Sequence, residues 1–220
     1  LIKGLRQDLR STELVWLIVA LTLSVTALSS VSFLADRMQR TFAFDARQLL
    51  ASDLLIVSDQ PLPEIFLEEA KKRNLQIANT VVFPSMASSG AQSKLSSLKA
   101  VSASYPLRGN LEVTLERQRS TKSGPHPGSV WVDPAMLSIL QANIGSQIRL
   151  GSSQFVIAGV LTRELDRGAG FMNFAPRVMM SLEDLPGTSL IGLGSRVTYR
   201  LLLAGDDEQV DRKSTRLNSS

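Results

Sequence analysis

The sequence predicts an α+β protein: one long amino-terminal transmembrane helix with a stalk, then a two-lobed mixed α/β domain whose smaller lobe is β-rich. Three observations predict it. Residues 14–34 form 21 consecutive positions without a charge. Residues 53–204 alternate short β-type runs with helical stretches. The 220 residues include no cysteine and a single histidine, His126. That removes disulfide frameworks, thiolate metal sites and cysteine nucleophiles, and one histidine cannot build a multi-histidine metal centre. A 44% hydrophobic share also sets the chain apart from low-complexity disorder.

The two ends read as unnatural. Leu1 stands where a start methionine belongs, so the amino terminus is expected to be cut. Residues 211–220 read DRKSTRLNSS, which matches the translation of a common DNA-sequencing adapter, and this tail is expected to be non-native. Native sequence is then expected to end near Val210. Without Asp211, Arg212, Lys213 and Arg216 the net charge falls from +4 to about +2, and a basic balance no longer argues for nucleic acid.

Residues 1–13 read as an amphipathic segment, with Ile2, Leu5 and Leu9 on one face and Lys3, Arg6, Asp8 and Arg10 off it. The uncharged run from Leu14 to Leu34 spans roughly 31 Å at helical rise, the thickness of a bilayer's hydrocarbon core. Ala27-Leu28-Ser29 faintly resembles a signal-peptide cleavage site, but the run exceeds the apolar stretch of about 7–15 residues that a signal peptide carries. Within the span Thr22, Thr26 and Ser30 fall on one face at four-residue spacing. Such hydroxyls either let a neighbouring helix approach closely or bond back to their own helix; the pattern favours a packed bundle. Charge counting leaves orientation tied, with Lys3, Arg6 and Arg10 before the span and Arg37, Arg40 and Arg47 after it. Leu34, Met38, Phe42 and Leu49 keep helical spacing, so residues 35–51 are expected to continue as a helical stalk.

In the domain, Leu54–Val57 reads as a short buried strand and Pro63–Asn74 as a helix. Glu64, Glu68 and Glu69 come early in it and Lys71, Lys72 and Arg73 late, as the helix dipole prefers. Strands are expected at Gln76–Phe83 and Leu95–Ser104, separated by a flexible SMASSGAQS stretch, and at Leu111–Leu115. Residues 117–128 read as a loop. Ser129–Val132 reads as a strand and Asp133 as the cap of a short helix with Pro134 first, broken at Ile144-Gly145. Ile148 and Leu150, then Phe155, Ile157, Gly159 and Leu161, form a hairpin about Gly151-Ser152. Ser195–Ala204 reads as the last strand. The smaller β-rich lobe is expected at about 128–180.

No chemistry is spelled out. There is no GxxxxGK[ST], no GxGxxG after a strand and no HExxH, and Gly192-Leu193-Gly194-Ser195 misses the nucleophile-elbow spacing. His126, between two prolines, reads as a solvated loop residue. Glu164 and Asp166 could suggest paired carboxylates or a cation site; with Arg163 and Arg167 flanking them and glycines following, an exposed ion-paired turn is the favoured reading. Met179-Met180 reads as core strand. No catalytic, cofactor-binding or metal residue is assigned.

The order of five segments carries a resemblance: FLADRMQRTFAFDARQLLASDLLIVSD (33–59), SYPLRGNL (104–111), PGSVWVDPAMLSIL (127–140), GVLTRELDRGAGFMNFAPRVMMSLEDLP (159–186) and SRVTYRLLLAG (195–205). In these the chain resembles the YbbP-like group of FtsX/MacB-type ABC transporter permeases, over essentially all of residues 2–206. The resemblance implies a permease subunit of the bacterial inner membrane that lacks catalytic residues and cofactors of its own. It implies a separate ABC ATPase as partner, contact with membrane lipids and another permease copy or subunit, and no nucleic acid. It places residues 1–13 in the cytoplasm, 14–34 in the membrane and 35 onward in the periplasm, with 52–206 a MacB-like periplasmic core domain that handles lipophilic or envelope substrates. Two rivals remain: a single-pass anchored binding or adaptor protein, and a periplasmic hydrolase for which Ser195 with His126 is the sole formal candidate.

Overall fold

In the computed structural model of the chain, residues 12–115, 120–164, 166–167, 175–192 and 194–205 are described. Residues 1–11 of the amphipathic segment, both glycines of TRELDRGAG (Gly168 and Gly170) and the adapter-like tail therefore lie outside the described residues. The chain divides into two compact units, Leu1–Ala46 and Arg47–Ser220.

Helix α1 runs unbroken over Thr12–Leu49. Its stretch Trp16–Met38 is 23 residues long and apolar enough to cross a membrane, and every side chain in that stretch is exposed within the chain. The hydroxyl face is spent on the helix itself. Thr22 Oγ1 donates to the Val19 carbonyl at 2.9 Å, Thr26 Oγ1 to the Thr22 carbonyl at 2.7 Å and Ser30 Oγ to the Thr26 carbonyl at 2.8 Å. Each hydroxyl has one proton, so toward any neighbour this face offers acceptor lone pairs and small volume, not donors.

The domain's elements follow in chain order as β1 (Leu54–Ser58), α2 (Glu64–Lys72), β2 (Gln76–Ser89), β3 (Gln92–Val101), β4 (Leu111–Thr114), β5 (Ser120–Thr121), β6 (Ser129–Val132), α3 (Pro134–Leu140), β7 (Gln147–Leu150), β8 (Ser153–Arg163), β9 (Arg177–Ser181), a 3₁₀ helix (Leu182–Thr188) and β10 (Thr198–Ala204). Among the described residues the strands make one ten-stranded sheet in the order β1-β10-β2-β3-β9-β6-β8-β4-β5, with β7 pairing both β2 and β8. The last link matters. β7 joins β8 through four residue pairs and the far half of β2 at Ala87 and Ser88. Six strands, β2-β3-β9-β6-β8-β7, thus hydrogen-bond in a ring.

Alternation along these strands aims one set of side chains into the ring. Phe83, Leu98, Ala100, Val130, Val132, Val178, Met180, Ile148, Leu150, Phe155 and Ile157 line it, and Met136 and Leu140 of α3 pack among them. Met179 points to the opposite face, where Val101, Tyr105, Leu111, Val113, Trp131, Leu161 and Leu202 form a second core. Helix α2 covers β1 and β10, with its Ala70, and Leu75 just beyond it, clustered with Leu201 and Leu203. The core reading of Met179-Met180 agrees with both being fully buried.

Several expected details are corrected. The SMASSGAQS stretch is no separator: Ser85–Ser89 and Gln92–Ser93 belong to one long β2–β3 hairpin, paired from Thr80↔Val101 to Ser89↔Gln92. Its small polar residues hide the alternation, but backbone pairing does not need large side chains. β1 is only half-buried, with Val57 exposed, because among the described residues it is an edge strand paired with β10 alone. The strands of 128–180 share the sheet with the rest, and their ring closes only through β2 and β3. Asp133 caps α3 as expected, accepting from the Ala135 N–H at 3.0 Å. The helix stops earlier, at a left-handed Gln141. β10 begins at Thr198 rather than Ser195. Residues 117–119 of the expected loop lie outside the described residues, and Ser120–Thr121 pair with β4.

Two turn glycines separate backbone strain from crowding. Gly90 has φ +57° with open space where a side chain would go, whereas Gly151, at φ +58°, would put a Cβ 2.1 Å from the Thr188 carbonyl. Gly90→Ala should cost only the left-handed penalty of about 1–2 kcal/mol. Gly151→Ala should cost clearly more, because backbone must move. Urea midpoints of the detergent-solubilised chain check this; equal shifts would mean the β7–β8 turn yields freely.

Candidate functional site

The sheet face that carries the second core also carries charge. Ser97 and Lys99 of β3 share it with Arg177 of β9, set by the parallel register Ser97↔Arg177 and Lys99↔Met179. Arg200 of β10 joins them through its pairing with Thr80 of β2. Glu164 and Asp166 arrive from the segment that follows β8, and Tyr105 from the loop that follows β3.

Lys99 is the centre. Its ammonium donates to Tyr105 Oη at 2.8 Å, Glu164 Oε1 at 2.7 Å and Asp166 Oδ1 at 2.5 Å. Three acceptors use all three of its protons. Tyr105 Oη in turn donates to Asp166 Oδ1, and its ring lies 4.3 Å from the ammonium. Glu164 Oε2 accepts from Arg177 Nε at 2.8 Å, and Arg177 also donates to Ser97 Oγ. Arg200 reaches the Asp166 carbonyl at 3.1 Å and Oδ2 at 3.4 Å. The Lys99, Glu164, Asp166 and Arg177 side chains are all 2% exposed or less.

This overturns the exposed-turn reading of Glu164 and Asp166. They are ion-paired, but buried, and not to the arginines beside them. Arg163 instead pairs with Glu112 at the surface at 3.3 Å, and Arg167 with Asp133 at 3.2 Å. Their shared cation, Lys99 of β3, lies 65 and 67 residues away in sequence, and Arg177 and Arg200 come from β9 and β10. A signal for them exists: Lys99 and Arg177 are single charges set against apolar strand runs, LKAV and RVMM, and a buried charge requires a partner. His126 is exposed in the loop before β6, where its carbonyl accepts from Ser129. Ser195 Oγ accepts from the Gly192 N–H at 3.0 Å. No hydrogen bond joins His126 to Ser195, both among the described residues.

Burial alone would raise the Glu164 carboxyl, but the Lys99 ammonium and the Arg177 guanidinium outweigh it and hold it below the usual carboxylate range. Burial opposes ionisation of Asp166 too, and Lys99, the Tyr105 hydroxyl and Arg200 reverse it. Burial, then the adjoining Asp166 and Glu164 charges, push the Tyr105 phenol well above its ordinary value. Both carboxylates are thus poor bases and the phenol stays protonated. Charge-satisfied and closed to solvent, the arrangement has the chemistry of a fastener.

The sign of its pH dependence follows. With folded values below unfolded ones, the carboxylates contribute stability that is complete above the unfolded carboxylate range and is lost as pH falls through the folded values. Lys99→Met should cost about 3–5 kcal/mol at neutral pH, because two buried carboxylates lose their shared cation. The variant's deficit should shrink on mild acidification, as those carboxyls take up protons. Denaturant titrations at several pH values check this; a deficit that does not change with pH would mean lost packing alone.

Comparison with known proteins completes the picture. The family model described as MacB-like periplasmic core domain matches residues 15–219. The chain is 32% identical over 205 residues to the protein named uncharacterized ABC transporter permease YbbP from Escherichia coli (strain K12), covering 93% of this chain and 25% of that relative. It thus spans about a quarter of that relative's length. Solved structures of similar shape include the periplasmic region of MacB from Actinobacillus actinomycetemcomitans, at 11% identity and a TM-score of 0.48, over 78% of this chain and 85% of that one. Another is the extracellular domain of the noncanonic ABC-type transporter YknZ from Gram-positive bacteria, at 11% identity and a TM-score of 0.47, over 72% and 88%. With the family model matching nearly the whole chain, this protein belongs to the MacB-like periplasmic core domain family.

Proposed function

We propose that the chain is the amino-terminal part of a permease subunit of an ABC transporter in the bacterial inner membrane. Residues 1–13 face the cytoplasm beside a separate ATPase subunit, 14–34 cross the membrane, 35–51 form a stalk and 52–206 fold in the periplasm. ATP-driven movement of the membrane helices is passed to the periplasmic domain, which handles lipophilic or envelope substrates. The observation that carries this reading is helix α1, which runs without a break from the apolar span to Leu49, five residues before β1. An unbroken helix transmits rotation and translation; a loop there would absorb them.

A single-pass anchored adaptor is the second reading. It draws on the hydroxyls of Thr22, Thr26 and Ser30, which already have partners on their own helix and so need no second helix.

Two measurements test the proposal. The chain has no cysteine, so Val57→Cys, at an exposed position, reports its compartment alone. A membrane-impermeant maleimide should label it in intact spheroplasts and should leave Leu5→Cys unlabelled until the membrane is opened. The reverse pattern would place the domain in the cytoplasm. Inserting one residue at Thr41 turns everything beyond it by about 100° about the helix axis, and should reduce stimulation of the partner ATPase to its basal rate. Unchanged stimulation would defeat the mechanical link and favour the adaptor.

A further inference from the structure

Three separate stretches of the domain meet at one carboxylate. Asp53 lies just after helix α1, Arg108 in the loop after β3, and Gly205 where the chain leaves β10. Arg108 grips Asp53 with two bonds, Nε to Oδ1 at 3.1 Å and Nη2 to Oδ2 at 2.7 Å, and also donates to the Gly205 carbonyl at 3.2 Å. The Gly205 N–H closes the loop by donating to Asp53 Oδ2 at 3.0 Å. Backbone bonds reinforce it: the Leu107 and Arg108 N–H groups donate to the Ala51 carbonyl at 3.1 and 3.0 Å, and the Asp53 N–H to the Leu203 carbonyl at 3.0 Å. The Asp53 side chain is 3% exposed and that of Arg108 38%, and a bidentate guanidinium–carboxylate pair is among the stronger polar contacts available.

Its position gives it a mechanical meaning. β1 and β10 are antiparallel, with Leu54 opposite Leu203, so the incoming and outgoing ends of the chain lie side by side at the same end of the ladder. A pull that separates those ends loads this ladder one pair at a time, from Leu54↔Leu203 inward. That is its weakest direction. Among the described residues β1 has no other strand neighbour, so the ladder cannot share the load.

We propose that Asp53 and Arg108 are a clasp that stops this unzipping, holding the incoming and outgoing segments together and anchoring both to the β3 loop. They are positioning residues: they touch no cargo, and they make the domain answer movement of its tethers as one body. The inference rests on the permease reading, in which both segments lead to membrane helices.

The test uses the full-length permease reconstituted with its ATPase. Arg108→Gln and Asp53→Asn should each lower permease-dependent ATPase stimulation several-fold, while the amide of Phe83 in the ring stays protected from hydrogen exchange. In Arg108→Gln the Asp53 and Leu107 amides should exchange about ten- to a hundred-fold faster, and together, as a lost charge-assisted pair implies. A disulfide between Leu54→Cys and Leu203→Cys, placed in the Arg108→Gln background, should restore stimulation when oxidised and lose it when reduced. Full stimulation in both single variants, or failure of the oxidised staple to restore it, would overturn the clasp. If the wild-type permease itself stimulates no ATPase, the permease reading falls, and the exchange arm alone decides: unchanged Asp53 and Leu107 amides would remove the clasp as well.

Discussion

A lysine ammonium with no access to water governs this domain. Lys99 stands on a strand in the middle of the sheet, where leaving the cation unpaired would cost far more than any single apolar contact returns. Its three protons dictate three acceptors, and meeting them draws in the Tyr105 loop and the segment with Glu164 and Asp166. Those carboxylates then need cations of their own, which fixes Arg177 on β9 and Arg200 on β10. One buried charge therefore ties together three strands, a loop and a connection.

The place where this happens is the place that needs it. The β3–β9 junction is parallel, so no hairpin turn sets its register, and a slip by one residue would swap the two faces of β9. That swap would put Arg177 and Met179 into the ring and expel Val178 and Met180. The apolar ring resists it from one side, and the Lys99–Glu164–Arg177 bridge from the other. Such a bridge is a better source of specificity than of net stability, since desolvation consumes much of its attraction. At the far edge β1 has β10 as its one strand neighbour among the described residues, and the part-buried Asp53–Arg108 pair takes over the task.

Much of this was legible in advance, for physical reasons that differ by element. The long apolar helix is plain because an uncharged run of this length has the reach of a bilayer's hydrocarbon core. The Asp133-Pro134 helix start and the Gly151-Ser152 hairpin were plain because cap and turn chemistry is local. The β2–β3 hairpin runs beyond its hydrophobic pattern, since Ser85, Ala87, Ser88 and Ser89 pair through their backbones and leave no hydrophobic period to detect. Closure of the ring through Ala87 and Ser88 had no local signal at all. The carboxylates Glu164 and Asp166 stand out in the sequence as a pair, but their neighbours Arg163 and Arg167 offer nearby charge and so point to the surface. Their true partners, Lys99, Arg177 and Arg200, lie on other strands, where spacing along the chain carries no information about distance. The lone charges in LKAV and RVMM were the clue, and they point to burial with a partner without saying which one.

The most direct test of this account is to titrate the side-chain carboxyls of Glu164 and Asp166 by carbon NMR on the folded chain with labelled Glu and Asp. Both should titrate below the usual carboxylate range, and their chemical shifts should move together, since they share Lys99. If either carboxyl titrates at or above its ordinary value, the pair is solvated or unpaired, and the buried charge is not what holds this face of the sheet.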